Sequence, residues 1–131
     1  MSFTPVLFDG SSVSVPVLSA TSPFWPYNPP FAGGAVSGVI TPSRNNGEFQ
    51  QFSFIGATTL NPPTHGYIGS KLLFWVTPTG TNQTFVLGSG ILIPTDSTFS
   101  GTKTLTANKT YIIQLQHNGA AWMLTSLVGG Y

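Results

Sequence analysis

The chain has 131 residues, a length that fits one domain. It carries four Lys or Arg and three Asp or Glu residues, for a formal net charge of +1. The cations are scattered, which argues against nucleic acid and acidic membranes as partners, because both recruit clustered Lys and Arg. There is no cysteine, so neither a disulfide framework nor a thiolate metal site is available.

Charged residues make up only 5% of the chain, against about 25% in an average protein. Such a surface has little electrostatic repulsion to keep copies apart, which favours life in an assembly. The stretch Met1 to Gly10 has no basic region and no long apolar run, so we expect no signal peptide. No segment approaches the roughly 20 apolar residues of a membrane span, and we expect synthesis in a cytoplasm.

The first residues, 1–8, are predicted to form an edge strand or an extended arm, because Pro5 would interrupt a central strand. The apolar residues of this arm, with the proline, are Phe3, Pro5, Val6, Leu7 and Phe8. Residues 12–17 then alternate Ser or Pro with Val, which predicts a half-buried strand.

The stretch Thr21 to Gly34 interleaves four aromatic residues with four prolines, and its aromatic residues are Phe24, Trp25, Tyr27 and Phe31. Proline prevents regular pairing, so an ordered loop is predicted. Two interpretations are open. The aromatic residues form a recognition surface for a sugar or another subunit, or they fold over the end of the sheet and close the core.

Two runs, Ala35 to Thr41 and Glu48 to Ile55, flank a turn at residues 42–47 and predict a hairpin. A turn cluster at residues 61–66 follows. Ser70 to Thr77 is then predicted to be a central strand, largely buried on both sides, since both of its faces carry apolar residues.

The rest of the chain also lacks helical periodicity, with short strands predicted at 84–87, 91–94 and 102–105. The sequence therefore predicts an all-β protein, a single antiparallel β-sandwich or jelly roll of about eight to ten short strands. We expect one domain, 1–131, with 1–8 as an N-terminal arm.

The C-terminal part predicts a hairpin, because Asn118-Gly119 separates two β-prone runs. A two-residue type I′ turn at this pair would place Leu115 opposite Trp122 and Ile113 opposite Leu124. Tyr111 would then lie opposite Ser126. These residues would form the core face of the hairpin.

Residues suited to catalysis are sparse. The three carboxylates, Asp9, Glu48 and Asp96, are isolated in or near predicted turns, and glycoside hydrolysis needs a convergent pair. His65 and His117 lack partners at metal-ligand spacing, and His117 flanks the hairpin turn. We therefore expect no enzyme activity, no cofactor and no metal.

A family resemblance enters at Leu105 to Leu115, followed by His117-Asn118-Gly119 and Trp122-Met123-Leu124. This segment resembles the closing hairpin of small β-rich virion proteins of tailed bacteriophages. The segment from Thr59 to Val76 is similar to the strand pair that precedes it in those proteins. The resemblance covers about the second half of the chain. It implies a head decoration or cement protein, a head fibre or a tail-fibre domain, commonly trimeric, and it carries no catalytic residues.

Within this resemblance, we expect a capsid decoration protein that binds the major capsid protein on the outer surface of the virion as a homotrimer and stabilises the shell. The arm residues 3–8 would contact the capsid, and Phe24, Trp25, Tyr27 and Phe31 would lie at a subunit contact. The alternative is a receptor-binding tail-fibre or spike domain that recognises host surface glycan. The absence of a predicted stalk favours decoration.

Overall fold

The computed structural model describes residues 29–131. These residues form eight strands: β1 (Phe31–Ile40), β2 (Phe49–Leu60), β3 (Lys71–Pro78), β4 (Gln83–Leu87), β5 (Ile91–Leu92), β6 (Thr102–Leu105), β7 (Tyr111–His117) and β8 (Trp122–Gly129). The one helical element in this part of the chain is a 3₁₀ turn, Arg44–Asn46. The all-β prediction is confirmed.

The strands form one curled mixed sheet, a half-barrel, in which β2 has three neighbours. β1 runs along one side of β2 over nearly its whole length. On the other side, β3 pairs with the first half of β2 and β4 with its last three residues. Outside these, β7 pairs with β3, β6 with β4, β8 with β7, and β5 with β8.

The prediction of a wholly antiparallel fold is wrong, since β2 is parallel to β1, β3 and β4, and β5 is parallel to β8. The predicted hairpin between the first two runs is therefore wrong as well. The chain does not reverse directly after Ile40, as a hairpin would require. Instead, the residues after β1 continue to pair with the residues after β2: Asn61 N–H donates to the Ile40 carbonyl (2.9 Å), and Thr64 N–H donates to the Pro42 carbonyl (2.9 Å).

The core lies on one face of the curled sheet. Its side chains alternate along β3 and β7, as expected for strands with one core face. The buried apolar residues are Phe54, Leu60, Leu72, Phe74, Val76, Phe85, Leu87, Ile91, Leu105, Tyr111, Ile113, Leu115, Trp122 and Leu124. Burying these side chains is the main favourable contribution to folding, at about 1.5–3 kcal/mol for each large one.

The C-terminal hairpin is confirmed, but its turn and register differ from the prediction. A four-residue loop pairs His117 with Trp122 and Leu115 with Leu124. Of the two turn residues, only Gly119 has a positive φ, +99°. A type I′ turn needs positive φ at both positions. The Asn118 side chain instead accepts hydrogen bonds from the backbone N–H groups of Ala120 (2.8 Å) and Ala121 (2.9 Å).

The predicted register of the hairpin is wrong by two residues. Because side chains alternate between the two faces with a period of two, the residues predicted for the core face still lie on it as far as Leu124. One irregularity then follows in β8, next to the Gln114 and Leu115 pairs. It places Gly129, not Ser126, opposite Tyr111. Gly129 fits there because a Cβ at this position would overlap the Tyr111 ring.

Candidate functional site

Most of the residues predicted to make contacts lie outside the described part of the chain. This holds for Phe3, Pro5, Val6, Leu7 and Phe8 of the arm, and for Phe24, Trp25 and Tyr27 of the aromatic loop. Phe31 is described, and it begins β1 opposite Gln50 with 37% of its surface exposed. The prediction of a loop as far as Gly34 is therefore wrong for residues 31–34, which belong to β1, and Phe31 and Ala32 pair with β2.

The outer face of the sheet, opposite the core, carries a half-exposed tryptophan. Trp75 lies on β3 between Gln51 of β2 and Ile112 of β7. It is 38% exposed, so the prediction that β3 is largely buried on both sides is wrong at this position. The Phe49 ring packs against Trp75 edge to face, with centroids 4.9 Å apart and planes at 66°.

A groove of about 350 Å³ lies beside this tryptophan. It is lined by Ala32, Gly34, Gln51, Phe52, Ser53, Trp75, Thr77 and Thr110. We call it the Trp75 groove. Half of these residues are polar and none is charged. Two of its hydroxyl groups, Thr77 Oγ1 and Thr110 Oγ1, lie 3.3 Å apart.

One wall of the Trp75 groove is formed by an irregular part of β1. The pairing with β2 shifts between Ala32 and Ala35, where Gly34 has a φ of +76°. That backbone conformation favours glycine. A Cβ at Gly34 would have no neighbour within 4 Å, so this wall stays open to solvent. The adjacent Gly33 instead packs closely on the Phe52 ring.

β1 also presents a free edge, since within the described residues it pairs with β2 alone. Its ten residues carry no charge. Val39 on β1 is 65% exposed, and Ile55 on β2 is exposed as well. Among residues 29–131, no strand pairs with the outer side of β1.

A second cavity, of about 330 Å³, lies over the concave side of β1 and β2, with Phe31, Val36 and Gln50 in its wall. Gln50 is fully buried, and its Nε2 donates to the carbonyl oxygens of Ser43 (2.8 Å) and Gly47 (2.9 Å). Its Oε1 accepts no hydrogen bond from the described part of the chain. The two donor bonds determine the orientation of the amide.

Titratable side chains take structural positions. Nδ1 of His117 accepts a hydrogen bond from Gly119 N–H (3.0 Å) beside the hairpin turn, where the sequence placed it. Nδ1 of His65 lies within hydrogen-bond distance of the hydroxyl oxygens of Ser43 (3.1 Å) and Thr64 (3.0 Å). Glu48 pairs with Arg44 at 3.6 Å.

Across residues 29–131, no three His, Cys, Asp or Glu side chains come together as a metal site would require. No helix in this range is long and apolar enough to span a membrane.

The Trp75 groove was not predicted from the sequence because its residues come from β1, β2, β3 and the connection before β7. One signal was present, since strand alternation places Trp75 and Thr77 on the face opposite Leu72, Phe74 and Val76. The parallel pairing of β2 with β3 then sets Gln51 and Ser53 beside them. That pairing could not be read from the local pattern.

Comparisons of the chain with models of known protein families, with curated proteins and with solved structures found no significant match. The resemblance to bacteriophage virion proteins therefore stays a prediction. Three features of the molecule bear on its function: the free edge of β1, the Trp75 groove and the low charge.

Proposed function

We propose that the chain is a structural virion protein, a capsid decoration or cement protein that binds the major capsid protein on the outer surface of the shell as a homotrimer. The observation that carries this proposal is the uncharged free edge of β1. The proposed role includes no catalysis.

Free sheet edges tend to pair with other chains, and monomeric proteins usually protect them with charge or proline. β1 contains neither. Its two register shifts limit the pairing to short segments, which suits an extended arm better than a long flat strand. Addition of such a segment to a sheet edge is a common mode of protein recognition.

The low charge supports the same proposal. The described residues include six charged side chains, which are Arg44, Glu48, Lys71, Asp96, Lys103 and Lys109. Many copies with so little net charge can then lie side by side on a shell with little mutual repulsion. We extend the proposal to the finer fold, a single-domain β-sandwich or jelly roll.

Copy number in purified particles tests the location. We expect quantitative mass spectrometry to give about one copy per capsid subunit, or a fixed large fraction of that number. A few copies per particle would contradict decoration and favour a fibre or spike tip. Absence from the particles would remove the virion proposal altogether.

The predicted contacts have their own test. Deleting residues 1–5 should abolish capsid binding and leave the domain folded, and unchanged binding would rule out the arm. Replacing Trp25 and Phe31 with Ala should weaken the oligomer more than it weakens folding. Loss of the fold would show instead that these aromatic residues belong to the core.

The free edge is tested by Val39→Lys, which adds a charge to β1 at an exposed position. We expect it to shift the chain towards monomer in sedimentation equilibrium. Leu92→Lys, the same kind of change at an exposed position on β5, is the matched control. Equal effects of the two variants would contradict a contact at β1.

The alternative function is a tail-fibre or spike domain that recognises host surface glycan. The observation that favours it is the Trp75 groove, an uncharged groove with one exposed aromatic side chain. Copy number separates the two functions, since a receptor-binding tip is present in few copies.

A further inference from the structure

We propose that the Trp75 groove binds a neutral carbohydrate, with a sugar ring packed on Trp75 and its hydroxyl groups bonded to Gln51, Ser53, Thr77 and Thr110. This inference does not depend on the position of the chain in a virion. It holds for a decoration protein and for a fibre tip alike.

The aromatic part of the site is rigid. Trp75 lies on a strand that is paired on both sides, and Phe49 packs against its ring at a centroid distance of 4.9 Å. A side chain held in this way loses little conformational entropy when a ligand packs on it. Part of it nevertheless stays exposed, which is unusual for a large aromatic residue on a central strand.

The polar part of the site matches a ligand rich in hydroxyl groups. The Gln51 amide has both donors and an acceptor, and each of the three hydroxyl groups can donate or accept. A sugar hydroxyl has the same dual character. Four such groups around one aromatic side chain correspond to the usual composition of a small-molecule site, in which a few polar groups orient the ligand.

Charge then selects the class of sugar. No Lys, Arg, Asp or Glu lines the groove. Two lysines are near the lining residues in sequence but do not line the groove: the exposed Lys109, which precedes Thr110, and Lys71, four residues before Trp75 on β3, or about 13 Å along an extended strand. Phosphate, sulfate and carboxylate groups need charged or multiple N–H donors for tight binding. The groove therefore favours uncharged sugars over sialylated, sulfated or phosphorylated ones.

Size supports a small ligand. Binding sites for small molecules usually measure about 300–1,000 Å³, and this groove is at the lower end of that range, at about 350 Å³. A protein partner would instead cover about 800 Å² of this chain and would favour an apolar centre. The Trp75 groove offers a mixed lining of limited size, as a sugar of one or two rings requires.

The test uses the full chain labelled with ¹⁵N, and it follows the indole N–H signals by NMR. The probes are neutral disaccharides of glucose, mannose, galactose and N-acetylglucosamine, with sialyllactose and heparin disaccharides as charged counterparts. The Trp75 signal is assigned by its loss in Trp75→Phe. We expect saturable shifts of this signal with at least one neutral probe, and none with the charged probes.

Variants then locate the site. Trp75→Ala should weaken binding by at least about tenfold, which corresponds to about 1.4 kcal/mol. Gln51→Ala and Thr77→Val should each weaken it by about three- to tenfold, and these smaller changes keep the test decisive if Trp75→Ala does not fold. Tyr67→Ala removes an exposed aromatic residue that does not line the groove and should change nothing.

Three results would overturn the proposal. One is no response of the Trp75 signal to any neutral probe. Another is a preference for the charged probes. The third is slow hydrogen exchange of the Trp75 indole N–H with solvent, both without a probe and with each of them. This result would show that the groove is covered by another part of the chain or by a second copy.

Discussion

The indole N–H of Trp122 donates a 2.8 Å hydrogen bond to the carbonyl oxygen of Pro63, across 59 residues of sequence. Trp122 is 2% exposed, and its ring packs edge to face against His117. Gly66 lies so close that a Cβ there would approach the Trp122 ring to 2.6 Å. This contact fastens the connection between β2 and β3 to the C-terminal hairpin.

We expect Trp122→Phe to lower the free energy of unfolding by about 1–3 kcal/mol, because it leaves the buried Pro63 carbonyl without a donor. Trp122→Ala should lower it by about 3–5 kcal/mol, since it also creates a cavity. Chemical denaturation at equilibrium measures both. Trp75→Phe is the matched control and should cost less than about 1 kcal/mol. Equal losses in the two Trp→Phe variants would contradict a special role for the Pro63 bond.

Gln50→Glu should make stability depend on pH. The change places a carboxylate oxygen where Nε2 now donates to two carbonyl oxygens, so the buried charged form is disfavoured. The pKa of the new carboxyl group would then be higher in the folded than in the unfolded state. The stability of the variant is therefore retained below the pKa of the carboxyl group in the unfolded state, about 4.3. It is lost as the pH rises through the pKa of that group in the folded state.

The measurement is the free energy of unfolding of Gln50→Glu at pH 4 and at pH 7. We expect a loss of at least about 2 kcal/mol on going to the higher pH, relative to the unchanged chain. Gln50→Leu, which cannot titrate, is the control, and it should be destabilised equally at both pH values. A Gln50→Glu variant with no added pH dependence would show that the site is open to water.

Gly33→Ala should destabilise the chain by about 1–3 kcal/mol, because the added methyl group would overlap the Phe52 ring. The double variant with Phe52→Leu provides the control. We expect a coupling free energy of about 0.5–3 kcal/mol in the double-mutant cycle, since the smaller side chain relieves the overlap. Additive effects would show that β1 moves away from Phe52 at little cost.

The pKa of the Tyr111 hydroxyl is lowered from its usual value of 10.0, chiefly by hydrogen bonds from Thr106. The Thr106 N–H donates to this hydroxyl at 2.9 Å, and Lys103 and Lys109 add a smaller electrostatic contribution. A lowered folded pKa means that ionisation of Tyr111 adds stability as the pH rises from the folded to the unfolded value. Below that window the ionisation adds none.

The titration is measured from phenolate absorbance, as the difference between the unchanged chain and Tyr111→Phe. We expect one group to titrate below pH 10 in the unchanged chain and to be missing in the variant. Thr106→Pro removes both the side-chain and the backbone donor and should shift this titration upwards. A Tyr111 that titrates at or above pH 10 would contradict the hydrogen bond from Thr106.

Local patterns predicted much of the secondary structure. The pattern correctly predicted that Tyr111, Ile113 and Leu115 lie on the core side of β7, whereas β3 was predicted to be largely buried on both sides and instead buries the face that carries Leu72, Phe74 and Val76. The prediction for β7 succeeded because a strand exposes alternate faces whatever its neighbours are. The hairpin at Asn118-Gly119 was also predictable, although its loop uses the Asn118 side chain and is two residues longer than expected.

The sequence by itself determined the all-β class, the low charge and the core side of β7, since these follow from composition and from a period of two. The tertiary structure alone decided that β2 lies parallel to three other strands and that Gln51, Trp75 and Thr110 share one groove. The physical reason is that strand pairing depends on backbone hydrogen bonds between distant segments. Those bonds are nearly independent of side-chain identity, so no local pattern records which strands will meet.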